Sequence, residues 1–143
     1  MLMKRRNFIQ KCGLSVAYLS CVPSFLTACQ KSNIRYSKPI IKKTNELTIK
    51  RAEFETQSSL YMHHPTEPYP IYIIKTGSDQ YTANLLKCTH QHCTVELVDT
   101  TFICPCHGAR FNQEGLLLRG PAEKNLTRYN VQLKGDLLII FLT

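Results

Sequence analysis

Acidic side chains are scarce in this chain of 143 residues, where 10 Asp and Glu face 18 Lys and Arg and leave a net charge of +8. An excess of this size would suit a nucleic-acid-binding protein if it formed a patch or a stripe. Residues 1–28 hold four basic residues and no acidic one, namely Lys4, Arg5, Arg6 and Lys11. The other 14 basic residues exceed the 10 acidic ones by only 4, and they are scattered along the chain. We therefore expect no nucleic-acid partner.

The chain also lacks a long hydrophobic run. Its most apolar stretch, Gly13–Ala28, has 16 residues and is interrupted by Pro23, whereas a membrane-spanning helix needs about 20. The stretch follows the pair Arg5–Arg6 with Phe8 two positions on, in "RRNFIQ". This sequence resembles the twin-arginine export signal, RR-x-F-L-K. We expect residues 1–28 to be an export signal, and a signal that merely begins with basic residues is the alternative.

The apolar stretch ends in "LTAC", which resembles the lipobox of bacterial lipoproteins. In such proteins the cysteine is acylated and becomes the first residue of the mature chain, and Cys29 would be that residue. Residues 29–44 would then form a lipidated basic tether with weak attraction to anionic headgroups. Three alternatives stay open: a spanning anchor retained in the mature protein, a solvated linker without a lipid role, and a segment whose apolar residues lie against the domain. Cys12 and Cys21, inside the signal, are expected to act as small apolar residues.

No amphipathic helix and no internal repeat stands out in the remaining residues. From residue 45, nearly every segment alternates in polarity or is rich in β-branched and aromatic residues, and turn-forming residues separate the segments. The predicted strands are "ELTIKRAEF", "YPIYIIKTG", "YTANLLKC", "TVELVD", "TFICP", "LLLRG", "LTRYNVQL" and "DLLIIFL". We expect one all-β domain of small antiparallel sheets over residues 45–143. His63 and His64 fall in a predicted loop, where they are expected to be exposed.

Four of the seven cysteines and three of the five histidines occur in two short clusters. Reduced to their spacing, the clusters are Cys88-x-His90-x-x-Cys93 and Cys104-x-Cys106-His107. Structural zinc sites favour ligand pairs with two to four residues between the cysteines, because both must reach one tetrahedral ion. The spacings here fit that geometry poorly, although zinc remains an alternative. They fit an iron–sulfur cluster that takes one cysteine and one histidine from each of two loops.

The clusters "CTHQHC" and "CPCHGA" resemble the boxes C-T-H-x-G-C and C-P-C-H-G-S of the Rieske iron–sulfur proteins, and the similarity extends over residues 44–143. The resemblance implies a Rieske-type fold, in which a cluster-binding subdomain, here about residues 86–123, is inserted in a base domain. It also implies one 2Fe–2S cluster per subunit, with Cys88 and Cys104 on one iron and His90 and His107 on the other. Two neutral imidazoles in place of two thiolates leave the cluster less negative, which raises its reduction potential.

The resemblance gives roles to further residues near the clusters. Cys93 and Cys106 match the pair that forms a disulfide between the two loops in the quinol-oxidising branch of the family, and two free thiols are the alternative. A disulfide persists in oxidising compartments, which agrees with an export signal. Residues 120–122, "GPA", match a proline-containing loop that covers the cluster from a third side. The "EKNL" that follows lacks the further prolines common in the family, so we expect this loop to be more mobile here.

The chain departs from the high-potential, quinol-oxidising members at four positions. In the first box it has Gln91 and His92 where those members have an apolar residue and a glycine, and this polarity weakens the case for docking on cytochrome b. We expect His92 to be an exposed loop residue. After the second box it has Ala109 and Phe111 where those members have a serine and a tyrosine. Such hydroxyl groups donate to sulfur atoms and stabilise the reduced cluster, so their absence predicts a lower potential.

The resemblance implies electron transfer without substrate chemistry. We expect a membrane-tethered one-electron carrier or a small subunit of a periplasmic redox complex, located in the bacterial cell envelope and facing the periplasm. Its redox partner would be a cytochrome, a quinol-oxidising enzyme or a molybdenum-type enzyme. One alternative is the Rieske subunit of a quinol–cytochrome c reductase with a retained N-terminal anchor. Another is a lipoprotein that has lost its cluster and acts only as a binding module.

Overall fold

A computed structural model of the protein describes residues 35–43 and 45–142, and the predicted export signal and Cys29 lie outside these residues. The described part of the chain contains two antiparallel sheets and a single turn of 3₁₀ helix at Arg51–Phe54, which confirms the predicted all-β class. The strands are β1 (Ile40–Lys43), β2 (Glu46–Lys50), β3 (Ser59–His63), β4 (Pro70–Lys75), β5 (Tyr81–Leu85), β6 (Glu96–Val98), β7 (Thr101–Ile103), β8 (Arg110–Asn112), β9 (Leu117–Arg119), β10 (Arg128–Lys134) and β11 (Leu137–Phe141).

The larger sheet has the order β1-β2-β11-β10-β5-β4-β3. Strand β10 joins its two halves, because its first two residues pair with β5 and its residues from Asn130 onward pair with β11. Alternating positions supply the hydrophobic core, as Leu47 and Ile49 of β2 and Leu138 and Ile140 of β11 show by their burial. This sheet is the base on which the rest of the described chain is built.

The smaller sheet has the order β6-β7-β8-β9 and lies between β5 and β10 in the chain. Its inner face is a row of apolar cross-strand neighbours, in which Phe102 faces both Leu97 and Phe111, and Phe111 also faces Leu117. These side chains pack in a second hydrophobic cluster that also contains two cysteines. The small sheet therefore supports the loops that carry the Cys/His motifs.

Residues 35–43 belong to the folded domain, although the sequence predicts them to be part of a tether. Strand β1 pairs with β2, and the backbone N–H of Ser37 donates to the carbonyl of Tyr61 at 2.9 Å. The Ser37 hydroxyl also donates to the carboxylate of Glu53. The sequence does not indicate this order, because it comes from the pairing of β1 with β2 and from the contact with Tyr61 rather than from a pattern within the segment. No helix in residues 35–43 and 45–142 combines the length and apolarity needed to cross a membrane.

The two adjacent histidines before β4 have different environments. His63 ends β3 and is exposed as predicted, with its ring stacked on Tyr36 at 4.4 Å between centroids. His64 is half-buried, so the prediction of an exposed loop residue was wrong for it. Its Nδ1 accepts hydrogen bonds from the backbone N–H groups of Thr66 at 3.2 Å and Glu67 at 3.0 Å. Burial lowers the pKa of His64, and the nearby Glu67 carboxylate opposes this effect.

Candidate metal centre

Three loops meet at one end of the small sheet. We call them the first loop (residues 86–95, between β5 and β6), the second loop (residues 104–109, between β7 and β8) and the third loop (residues 120–127, between β9 and β10). The disulfide Cys93–Cys106 joins the first loop to the second, with a Cα–Cα distance of 6.5 Å. This confirms the predicted pairing. The Thr89 hydroxyl donates to the carbonyl of Lys124 at 2.7 Å and so joins the first loop to the third.

The first and second loops share one backbone hydrogen-bond pattern. In each, the N–H of the first cysteine donates to the carbonyl five residues later, and its carbonyl accepts the N–H of the residue four later. The two distances are 2.8 and 2.9 Å around Cys88, and again 2.8 and 2.9 Å around Cys104. The residue four later has a positive φ in both loops, 59° at His92 and 74° at Gly108. Each loop is thus a tight turn that contains a Cys/His motif and is closed by two backbone hydrogen bonds of its first cysteine.

The two free cysteines lie at the bottom of these turns. Cys88 and Cys104 are both buried, with 0% and 2% of their surface exposed, and their thiols interact with one another. Burial raises the pKa of the Cys88 thiol, and the adjacent Cys104 raises it further, whereas hydrogen bonds from the backbone of His90 and Gln91 lower it. The same backbone donors would stabilise a sulfur atom that carries negative charge. The thiols therefore lie in a buried site in which backbone hydrogen-bond donors to the Cys88 sulfur are already in place.

The two predicted histidine ligands lie at the exposed tip of the loops. The rings of His90 and His107 are 4.9 Å apart between centroids and perpendicular, and both residues are exposed. Buried thiols and exposed imidazoles are thus brought together from two loops. This arrangement of donors fits a 2Fe–2S cluster with a buried cysteine side and an exposed histidine side.

A single tetrahedral ion fits the donors less well. In the described residues, the one set of three His, Cys, Asp or Glu whose ligand atoms all lie within 4.8 Å of one another is Cys93, Cys104 and Cys106. Two of these sulfurs form the disulfide and are not thiolates, so they cannot serve as metal ligands. The four predicted ligands do not converge on one point in this way. The geometry thus favours a two-metal cluster over mononuclear zinc.

The positions that depart from the high-potential pattern fall on both sides of the centre. Ala109 and Phe111, at the end of the second loop and just after it, are fully buried and bring no hydroxyl group to the centre. Gln91 and His92 are exposed on the first loop, as predicted for His92.

The third loop is held by the carbonyl of Gly115, which accepts the N–H of Leu126 at 2.9 Å. The side-chain oxygen of Asn125 also accepts a hydrogen bond of 2.8 Å from the backbone N–H of Leu117.

A polar cleft of about 480 Å³ opens beside the first loop. Lys87 lies in it, with its ammonium 3.1 Å from the carboxylate of Glu67 and 5.0 Å from the ring centroid of Tyr69. Burial, with a smaller contribution from Glu67, raises the pKa of Tyr129 to about 12. No pattern in the sequence indicated this cleft, because it forms between segments that are distant in the chain.

Comparison with known proteins identifies the family. Residues 41–130 match the family model of the Rieske [2Fe-2S] domain. The cytochrome b6-f complex iron-sulfur subunit of Chlorobaculum thiosulfatiphilum is 33% identical over 142 residues, which cover 96% of this chain and 75% of that protein. The chloroplastic subunit of the same complex from Volvox carteri is 38% identical over 79 residues, which cover 52% of this chain and 38% of that protein.

A solved structure is similar over most of the described residues. The plasma membrane Rieske protein PetC3 from Synechocystis PCC 6803 superimposes with a TM-score of 0.53 at 31% identity. The match covers 64% of this chain and 93% of that one. The chain therefore belongs to the Rieske [2Fe-2S] domain family and binds a 2Fe–2S cluster.

Proposed function

We propose that the protein transfers single electrons through a 2Fe–2S cluster held by Cys88, His90, Cys104 and His107. The observation that carries this assignment is the pair of buried, interacting thiols below two perpendicular imidazoles, all supplied by loops of the same backbone pattern. When bound, the cluster supplies reversible one-electron chemistry at the potential that mixed Cys/His ligation sets. The buried cysteines exclude water from one side of the site. The exposed histidines bring the other side to the surface.

The remaining groups of the loops would keep this site rigid. The disulfide and the hydrogen bond from Thr89 to Lys124 fix the first loop to its two neighbours. A site that keeps its geometry when it gains or loses an electron spends little energy on rearrangement. The loops are thus suited to electron transfer.

The assignment of the ligands can be tested on the purified protein. The reduced protein should contain two irons per chain and give an electron paramagnetic resonance spectrum with nitrogen ligation, as mixed Cys/His ligation requires. His107→Cys should lose the cluster or shift its potential downward, because a third thiolate adds negative charge. His92→Gly, a change at a histidine that is not a predicted ligand, is the matched control and should keep the spectrum. A wild-type spectrum without nitrogen ligation would contradict the ligand set.

The protein is further proposed to work at a membrane of the bacterial cell envelope, attached through an acylated Cys29 after twin-arginine-type export. A disulfide favours an oxidising compartment, and PetC3 is described as a plasma membrane protein. If Cys29 is acylated, Cys29→Ser should abolish lipid labelling and leave an uncleaved precursor. A mature wild-type protein that still contains Phe8 would contradict acylation and would support a retained anchor.

A second candidate is the iron–sulfur subunit of a quinol-oxidising cytochrome complex. It is supported by the 33% identity to a cytochrome b6-f complex subunit over 96% of this chain. The exposed, polar Gln91 and His92 favour the carrier, because they lie on the loop that would meet an apolar quinol site. Purification from detergent-solubilised membranes separates the two candidates. A complex subunit should co-purify with b-type haem, whereas a carrier should not.

A further inference from the structure

The outer face of the small sheet carries two arginines directly opposite each other. Arg110 of β8 and Arg119 of β9 are register partners. Both side chains are exposed, whereas Ala109 and Phe111 on either side of Arg110 are fully buried, so Arg110 points away from the core. The Cβ atoms of directly opposite residues lie about 4.5–5.5 Å apart. The sheet therefore holds two positive charges side by side on one surface.

This arrangement is unfavourable for the isolated domain, because like charges directly opposite one another destabilise a sheet. In the described residues, the acidic groups that form ion pairs with arginine or lysine have other partners, in the pairs Arg51–Asp79, Lys87–Glu67 and Arg128–Glu114. Two further acidic residues are near the arginines in the topology, Glu96 and Glu123. Glu96 lies in the same cross-strand row as Arg110, but Ile103 of β7 stands between them. Glu123, four residues beyond Arg119, forms no ion pair with it.

The pair also lies beside the predicted redox centre. Arg110 directly follows the second loop, and Arg119 directly precedes the third loop. A β-bulge at this point leaves Leu118 59% exposed next to Arg119, and Leu116 is 42% exposed. Arginine is enriched in protein interfaces, and the buried core of an interface is more apolar than its rim. The surface formed by Arg110, Leu118 and Arg119 is called the arginine face below.

We propose that the arginine face docks an electron-transfer partner protein through an acidic patch that presents at least two carboxylates. This proposal rests on the proposed electron transfer and adds the chemistry of the partner. Paired guanidinium groups suit carboxylates because each can donate two parallel hydrogen bonds to one carboxylate. Opposite charges also speed the encounter at low ionic strength. Docking here would bring the partner's redox centre to the tip that carries His90 and His107.

The test uses the protein with its cluster, verified by its absorption spectrum, and two probes: an acidic and a basic soluble c-type cytochrome. The rate of electron transfer to the acidic cytochrome should fall as ionic strength rises. In Arg110→Glu/Arg119→Glu this rate should drop at least about tenfold at low ionic strength, and the rate with the basic cytochrome should rise. The matched control is Lys50→Glu/Lys134→Glu, which makes the same change of charge at two exposed residues that flank Leu137 at the other end of the large sheet. The control should change both rates much less.

A second variant guards against loss of folding. Arg119→Glu alone places an acid opposite Arg110, which should favour the fold. It should nevertheless raise the Kd for the acidic cytochrome, measured by calorimetry. An equal fall in the rate with the acidic cytochrome in Lys50→Glu/Lys134→Glu would show that net charge alone matters and would overturn the proposal. Tighter binding to phosphatidylglycerol vesicles than to the acidic cytochrome, lost in the arginine variant, would overturn it in favour of a membrane. Absence of the cluster would contradict the proposed function, while the Kd would still test the docking surface.

Discussion

His92 and Gly108 occupy equivalent backbone positions in the two loops of the centre. Each donates its N–H at 2.9 Å to the carbonyl of the cysteine four residues before it, and each has a positive φ. Glycine adopts this conformation without steric cost, whereas a residue with a Cβ does so at a cost of about 1–2 kcal/mol. The second loop meets the requirement with glycine, and the first loop meets it with a histidine. His92 therefore adds backbone strain to the first loop, where its side chain is exposed.

We predict that His92→Gly stabilises the protein by about 0.5–1 kcal/mol, since relief of the left-handed conformation outweighs the greater freedom of glycine in the unfolded chain. Gly108→Ala, in the equivalent position, should destabilise it by about 1 kcal/mol, and for reasons of conformation alone because no atom lies within 4 Å of an added Cβ. Denaturant unfolding followed by circular dichroism measures both changes. A destabilised His92→Gly would show that the imidazole makes a stabilising contact.

The disulfide should contribute to stability mainly through the unfolded chain. Removing it in Cys93→Ala/Cys106→Ala opens a link across 13 residues and should cost about 3 kcal/mol. The cluster should also be lost at a lower denaturant concentration, because the first and second loops are then free to separate. Loss of visible absorption and of circular dichroism during titration measures the two effects. A reducing agent should destabilise the wild type and leave the double variant unchanged.

The reduction potential should be lower than that of high-potential Rieske proteins, because Ala109 and Phe111 bring no hydroxyl donor to the buried side of the centre. Hydrogen bonds to cluster and cysteine sulfurs withdraw electron density and stabilise the reduced form. Ala109→Ser/Phe111→Tyr should therefore shift the midpoint upward in protein-film voltammetry, and each single variant should give part of the shift. A wild-type midpoint near the top of the range of about −150 to +300 mV would contradict the prediction.

The stability should decrease on acidification because of His64. Burial holds the pKa of this histidine below its ordinary value of 6.5 in the folded protein, so the unfolded chain takes up its proton at a higher pH. The contribution of His64 to stability is then fully present above its pKa in the unfolded chain. It is lost as the pH falls from about 7 toward its lower pKa in the folded protein. Protonation at Nδ1 would also break the hydrogen bonds from Thr66 and Glu67.

Two variants isolate this contribution. His64→Asn keeps a side-chain acceptor but does not titrate, so its unfolding free energy should depend less on pH between 7 and 5. His63→Asn makes the same change at the exposed neighbouring histidine and is the matched control. Equal pH dependence in wild type and His64→Asn would show that other groups control the acid response.

The strands of the domain could be predicted only in part. Segments with clear alternation or apolar runs, such as those that form β4, β5 and β11, were predicted close to their observed positions. Strands β1, β3 and β8 were not predicted, because their sequences carry a weak pattern. Strand β1 forms by backbone pairing with β2, and β8 forms by backbone pairing with β7 and β9. Each of these pairings is with a neighbouring strand, but it depends on backbone hydrogen bonds, which a pattern of side-chain polarity does not record.

The sequence by itself determined the chemistry of the centre, because a loop of a few residues sets the distance between its own ligands. The resemblance carried by two short cysteine and histidine motifs was enough to predict the family, the cofactor and the disulfide pair, and the ligand set stays a prediction. The tertiary structure decided what surrounds these motifs. It partly buried His64, placed a left-handed turn at His92, and set Arg110 opposite Arg119. Burial, backbone conformation and strand register depend on contacts that form only once the chain has folded.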